Sequence, residues 1–217
     1  MRKRKLTKAN ASKVFDLLSE AWPQAHCELE FSSPFQLVLA VLLSAQATDK
    51  SVNKALTPLY KKYPNFDAPD LVKMGEKKFF QWIKTIGLAS TKAKNAVGMA
   101  RRICEIYGGE VPRKQEDLES LPGVGRKTAN VVRNVLHGEP TMPVDTHVGR
   151  VAQRVGLVEA TTNLRVIEEQ LLACVPQKHA IQAHHYLIFQ GRYVCTARSP
   201  RCENCAISSL CQKNIEQ

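Results

Sequence analysis

Aromatic residues are scarce, 6% of a 217-residue chain, so Leu, Val, Ile and Ala must fill most of any core. With 44% hydrophobic residues there is apolar material for one large domain or two small ones. No stretch approaches the roughly 18 consecutive apolar residues of a membrane-spanning helix. The basic start Met1-Arg2-Lys3-Arg4-Lys5 is not followed by a secretory hydrophobic segment, so the sequence reads as intracellular. Sustained alternation of apolar and polar residues is missing, as is any Asn-Gly or Asp-Gly pair that would close a hairpin of strands. That removes the sheet classes and leaves an all-α fold. Low-complexity linkers are absent too, so any division into domains must be compact. Acidic residues fall short: 20 Asp and Glu against 31 Lys and Arg leave a net charge of +11. Such an excess points to a polyanion, nucleic acid first and an anionic membrane surface second.

What is present is helix punctuation. Ser33-Pro34 reads as an N-cap followed by proline at the first helical position, and the apolar run Leu37 to Leu43 carries that helix inward. Asp49 is placed to cap the next helix, which carries Val52, Leu56 and Leu59. Ser90 opens another with Ala93, Val97, Ala100 and Ile103, stopped by Gly108-Gly109. Asn163 opens a further one with Val166, Ile167, Leu171 and Leu172, and a last long helix is expected from near Gln177 to about Tyr193.

Glu116 to Leu121 reads as a short helix, Pro122-Gly123-Val124-Gly125 as a turn, and Arg126 to His137 as a second helix ending at Gly138. Two glycines around one apolar residue permit a tight turn with exposed N–H groups. Together with the positive end of the second helix these make an anion site that a phosphate can approach closely, while Val124 tucks between the helices. A bare Pro-Gly turn would be an ordinary connection. The whole string from Leu121 to Ala129, however, matches the helix-hairpin-helix DNA-binding motif, which grips phosphates and reads no sequence. Arg126 and Lys127 stand in the first helical turn, where the dipole disfavours cations. A phosphate explains Arg126. Lys127 has two readings: a second phosphate contact, or an amine that the local field favours in its neutral, nucleophilic form. Eighteen residues later comes Asp145, within Pro143-Val144-Asp145-Thr146-His147-Val148. It reads as the N-cap of a helix running to about Val155, which is a complete structural explanation. A carboxylate so presented can also take the lysine's proton and stabilise positive charge on a sugar. Spacing alone leaves both pairs of readings open.

Seven cysteines, an odd number in a reducing compartment, argue against disulfides. Cys195, Cys202, Cys205 and Cys211 follow the pattern C-x6-C-x2-C-x5-C within 17 residues, enough to wrap one compact centre. On chemistry alone, tetrahedral zinc and a [4Fe–4S] cluster both fit, although a zinc ribbon shows two close pairs and only one is present here. Arg192, Arg198 and Arg201 around them are either solvated charge offsetting an anionic cluster or part of a phosphate-binding loop. Cys27, Cys104 and Cys174 lie apart and read as small core residues or inert thiols.

From Phe31-Ser32-Ser33-Pro34-Phe35, through the hairpin string and Val144-Asp145-Thr146-His147, to the last cysteine, nearly the whole chain resembles the endonuclease III family. The resemblance implies two all-α lobes. One is a six-helix barrel over residues 28–139, with the helix-hairpin-helix at about 115–137; the other is an iron–sulfur lobe from residues 1–27 plus 140–217, with its cluster loop at 195–211. A groove between them is expected to bring Lys127 against Asp145. The implied activity is that of a bifunctional DNA glycosylase and AP lyase of base excision repair: Lys127 attacks the sugar C1′ of an oxidised pyrimidine nucleotide, a Schiff base forms, and β-elimination cuts the strand 3′ to the site. The resemblance also decides the metal as one [4Fe–4S] cluster per chain, held by the four cysteines. A structural and DNA-positioning role is expected for it rather than redox catalysis, because base excision needs no electron transfer. DNA contacts are implied at Gln46, Leu88, Leu121, Gly123, Val124, Gly125, Arg126 and His147. Gln46, at the end of an apolar helix, is placed to bond an orphaned base, and Leu88 matches a wedge between base pairs, although a leucine at helical spacing also fits a core. His147 either supports the Asp145 segment or is a core or capping histidine. Ala89 stands where relatives often carry a bulkier residue. The expected partner is duplex DNA containing oxidised pyrimidines or abasic sites, bound by a monomer in the bacterial cytoplasm at the nucleoid, with no membrane. Two rivals remain. A monofunctional adenine-mismatch glycosylase is opposed by Lys127, where those relatives place another residue, and by the six residues after Cys211, too few for their extra domain. A non-catalytic DNA-binding scaffold would use the hairpin and metal loop alone.

Overall fold

The computed structural model describes residues 5–214; the basic start Met1 to Arg4 lies outside the described residues. Among the described residues there is no strand, and ten α-helices form. In chain order they are α1 (Lys8–Ala21), α2 (Pro34–Leu43), α3 (Asp49–Lys62), α4 (Ala68–Ile83), α5 (Ala89–Tyr107), α6 (Gln115–Glu119), α7 (Arg126–His137), α8 (Thr146–Val155), α9 (Leu164–Cys174) and α10 (Ala183–Phe189). The chain divides into two compact units: Glu28–His137, and the residues up to Cys27 with those from Gly138 onward. No helix among the described residues is long and apolar enough to cross a membrane.

The central unit, Glu28–His137, is organised around α2. Its start is dictated locally: the Ser33 side chain accepts from the Gln36 amide, and Pro34 supplies the first helical φ. Every residue from Phe35 to Leu43 is buried, the signature of a helix packed on all sides. Around it lie α3, α5 and α7. The first residue of α3 is Asp49, but its cap is Thr48, whose hydroxyl accepts from the Ser51 amide at 3.2 Å. The sequence expectation is thus one residue late, because either side chain can cap. Helix α4 has no counterpart in the sequence pattern: Gly75, at φ 72° and ψ 167°, breaks its period in the middle. Helix α5 does not open on Ser90. Leu88 occupies the cap position in a left-handed conformation and makes no side-chain cap bond.

The terminal unit packs Val14, Phe15 and Leu18 of α1 against Val148, Val151 and Val155 of α8, Ile167 and Leu171 of α9, and Leu187 of α10. The single long helix expected from Gln177 to Tyr193 is instead three pieces: a 3-10 turn Gln177–His179, then α10, then a π-helical turn Gln190–Val194. Close approach to α8 explains the last of these. A Cβ on Gly191 would lie 2.9 Å from the His147 Cβ, so the chain widens to pass, and the Cys195 amide donates five residues back to the Gln190 carbonyl at 2.7 Å. At the other end, Asp16 of α1 accepts from both Lys178 Nζ (2.5 Å) and His179 Nε2 (2.7 Å), pinning the 3-10 turn. The open carbonyls of α8's last turn are closed by the chain's return: Gln212 N donates to Val155 O (3.1 Å) and Asn214 N to Arg154 O (2.9 Å).

Candidate functional site

The hairpin between α6 and α7 is closed by apolar burial and by local bonds. Leu121 and Val124 are buried, and the Val124 amide donates to the Leu121 carbonyl at 3.0 Å. The two glycines differ in cause. Gly123 has φ 78°, and a Cβ there would come within 2.9 Å of Asn95 Cβ and 3.0 Å of Leu42 Cδ1, so the fold itself demands glycine. Gly125 does not have a positive φ, and a Cβ there would meet no heavy atom within 4 Å, so nothing in the protein requires its missing side chain. It is exposed, and so are Arg126 and Lys127, which follow it in the first turn of α7. Lys127 thus stands exposed at the positive end of α7.

Asp145 is the N-cap of α8 and is only partly buried. One oxygen performs the capping: Oδ1 accepts from the His147 and Val148 amides, both at 2.8 Å. Oδ2 takes no hydrogen bond among the described residues. The structural and the chemical readings of this aspartate are therefore compatible, one oxygen for each. His147, half-buried beside it, has its Nδ1 3.2 Å from Arg150 Nη2. A guanidinium only donates, so Nδ1 accepts and Nε2 carries the ring proton. Arg150 and Arg154 then fasten α8 to the cysteine segment. Arg150 donates to Cys195 O (3.2 Å) and Gly191 O (2.8 Å), and Arg154 to Thr196 O (2.7 Å) and Ala197 O (2.8 Å). The helix that carries Asp145 is thereby tied to the first cysteine of the loop.

Gln46 and Leu88 share an unusual backbone. Both are non-glycine residues in the left-handed region, at φ 55° and 60°, and Leu88 is 62% exposed. Exposure removes the core explanation for Leu88. A left-handed leucine costs about 1–2 kcal/mol, and strain of this sort collects at functional positions. The residue that the sequence pattern concealed here is Lys92. It is buried on the apolar stripe of α5 and donates from Nζ to Leu43 O at 2.9 Å, which holds the end of α2 beside the start of α5. Burial pushes its pKa down. The visible signal was a lysine in register with Ala89, Ala93 and Ala96 on the buried face.

Cys195, Cys202, Cys205 and Cys211 line one pocket, together with Arg154, Gln190 and Ile207. Four thiol side chains around one pocket are a donor set that suits an iron–sulfur cluster as well as a single tetrahedral ion. Donors are aimed at the sulfurs: Gln190 Nε2 at Cys205 (3.1 Å), Lys213 N at Cys211 (3.3 Å) and Arg154 Nη1 at Cys195 (3.7 Å). Burial pushes the Cys205 and Cys211 thiols up; cationic metal reverses that preference and takes them as thiolates. The pocket therefore fits an iron–sulfur group. Cys104 and Cys174 stand apart, each partly buried, and burial raises both thiols, which makes them poor nucleophiles.

A glycine-closed helical hairpin in one unit and a four-thiol pocket in the other define a class of DNA repair protein. Residues 39–177 match the family described as HhH-GPD superfamily base excision DNA repair protein, and residues 195–211 match the iron-sulfur binding domain of endonuclease III. Endonuclease III of Escherichia coli (strain K12) is 47% identical over 208 residues, covering 95% of this chain and 97% of the relative. That of Bacillus subtilis (strain 168) is 46% identical over 198 residues, covering 91% and 90%. The solved structure of a trapped endonuclease III–DNA covalent intermediate, an estranged-adenine complex, matches with a TM-score of 0.90 at 41% identity, covering 96% of this chain and 97% of that one. The chain belongs to the HhH-GPD superfamily and, within it, to the endonuclease III family. It is a bifunctional DNA glycosylase and AP lyase of base excision repair that carries one [4Fe–4S] cluster.

Proposed function

We propose that the chain excises oxidised pyrimidines from duplex DNA and cuts at abasic sites, with Lys127 as nucleophile and Asp145 as its carboxylate partner. The observation that carries this reading is the condition of those two side chains. Lys127 is exposed two residues past a glycine the fold does not need, and Asp145 keeps one oxygen clear of its cap. A relative caught as a covalent intermediate with DNA supports a nucleophile on the protein.

The amine lone pair of Lys127 forms a bond to C1′ as the C1′–base bond breaks; the electron pair leaves with the base, which takes a proton. Opening of the sugar ring gives a protonated Schiff base. Loss of a C2′ proton then breaks the C3′–O bond and releases the 3′ strand, and water returns the free lysine. Asp145 accepts the proton of the attacking amine and stabilises the cationic sugar. The target nucleotide leaves the stack; Gln46 bonds the orphaned base and Leu88 wedges the gap. Leu121, Gly123, Val124, Gly125 and Arg126 grip the backbone, and His147 offers its Nε2–H to it. When bound, the cluster supplies a rigid cross-link among the four cysteines, and Arg150 and Arg154 carry that rigidity to α8. The working form is a monomer in the bacterial cytoplasm, at the nucleoid.

Two substitutions test the DNA contacts. Gly125→Ala folds with native stability, since its Cβ meets open space, and weakens binding to an abasic-site duplex about tenfold by blocking the phosphate; that factor is about 1.4 kcal/mol. Unchanged affinity would remove the phosphate from Gly125. Leu88→Gly relieves the left-handed strain, so urea unfolding shows stability equal to or up to about 1 kcal/mol above native. Single-turnover incision at a lesion nevertheless slows. Full-speed incision by this variant would end the wedge role. The function as a whole is tested with duplexes that each carry one defined lesion. Incision is expected at an oxidised pyrimidine and at an abasic site, leaving an unsaturated aldehyde on the 3′ end. Removal of adenine from a mismatch without strand cleavage would instead favour a monofunctional glycosylase.

A further inference from the structure

Gln190 is 1% exposed and stands in the π-helical turn that delivers the chain to Cys195. Its backbone and both ends of its side chain are engaged. The carbonyl accepts from the Cys195 amide at 2.7 Å. Side-chain Oε1 accepts from the indole Nε1 of Trp22 at 3.1 Å, and Nε2 donates to Cys205 Sγ at 3.1 Å. Trp22 follows α1 directly and is itself held, its ring 5.7 Å from that of Phe189 and 5.8 Å from that of Tyr193.

The direction of this relay is not arbitrary. An indole N–H donates and cannot accept, so it selects the oxygen end of the amide and turns the NH2 end toward sulfur. A buried amide is costly unless its ends are bonded, and an apolar side chain of similar size would fill the same space. The amide's use is therefore in the bond to Cys205. A second side chain aimed at one of these cysteines, Arg154 on Cys195, acts over 3.7 Å, and the Lys213 contact comes from the backbone.

We infer that Gln190, oriented by Trp22, sets the electron affinity of the iron–sulfur cluster by donating a hydrogen bond to its Cys205 ligand. The inference rests on the cluster and not on the roles assigned to Lys127 and Asp145. A thiolate that receives an N–H releases less charge to iron. The bond strengthens when an electron is added and weakens when one is removed, so it favours the more reduced state of a one-electron couple.

The test is a mediated redox titration of the intact, iron-loaded protein, in which one electron passes between the cluster and an electrode. Gln190→Leu keeps the volume and removes the donor. Its midpoint is expected about 59 mV more negative than native, a tenfold shift in a one-electron equilibrium, at native iron and sulfide content. Trp22→Phe removes only the orienting N–H, and a smaller shift of the same sign is expected. A purely structural role would lower iron content or stability and leave the midpoint of the loaded protein where it was. A native midpoint in fully loaded Gln190→Leu overturns the inference. Should that variant fail to take up iron, a native midpoint in fully loaded Trp22→Phe overturns it instead.

Discussion

Asp145→Asn is expected to fold as stably as the native chain and to lose turnover about 10²–10⁴-fold, the range for removing a proton-transfer group. The split follows from the two oxygens. Oδ1 accepts from the His147 and Val148 amides, and asparagine caps a helix as well as aspartate does, with its carbonyl oxygen in the same place. What disappears is the charge and the second acceptor. Asp145→Ala removes the cap as well, and should lose about 1 kcal/mol of stability on top of the same catalytic deficit. Comparing the pair by urea unfolding and by single-turnover base release separates the two roles. Equal losses of stability in Asn and Ala, with turnover falling only in proportion to folded protein, would leave Asp145 as a cap and nothing more.

Lys127→Ala should be the more damaging change to chemistry and the gentler one to structure. Lys127 is exposed in the first turn of α7, where its charge opposes the helix dipole. Alanine is a better helix former and carries no charge, so stability is expected to rise by about 0.5 kcal/mol. Incision is expected to fall by at least about 10⁴-fold, since no other group replaces a lost nucleophile. DNA affinity should drop only modestly, because Gly123, Gly125 and Arg126 remain. Binding lost in parallel with incision would mark Lys127 as a phosphate contact.

Which parts of this were legible in sequence follows from how local each cause is. Ser33 before Pro34, Asp145 before Thr146 and Asn163 before Leu164 cap their helices as their types require, because capping involves only the next three amides. The hairpin turn and the four cysteines are equally local, and they fall within residues 39–177 and 195–211, the stretches that match the two families. The long helix drawn through Gln177 to Tyr193 was not legible as three pieces, since its apolar period continues across the break. The cause lies elsewhere, in the close pass of Gly191 by His147. The left-handed backbone of Leu88 leaves no trace in composition, for leucine is a poor residue for it. Lys92 could be seen as a lysine on an apolar stripe, but not its partner, the Leu43 carbonyl 49 residues away. Gln190 is furthest from view: its orientation depends on Trp22, 168 residues earlier in the chain.

The most direct measurement is chemical capture. Native protein is mixed with a duplex carrying one oxidised pyrimidine, reduced with borohydride, digested, and the sugar-bearing peptide sequenced by mass spectrometry. Reduction should fix the imine as a stable amine on the peptide that contains Lys127, with no adduct from Lys127→Ala. An adduct of equal yield on another lysine, or on the Lys127→Ala protein, would contradict the account.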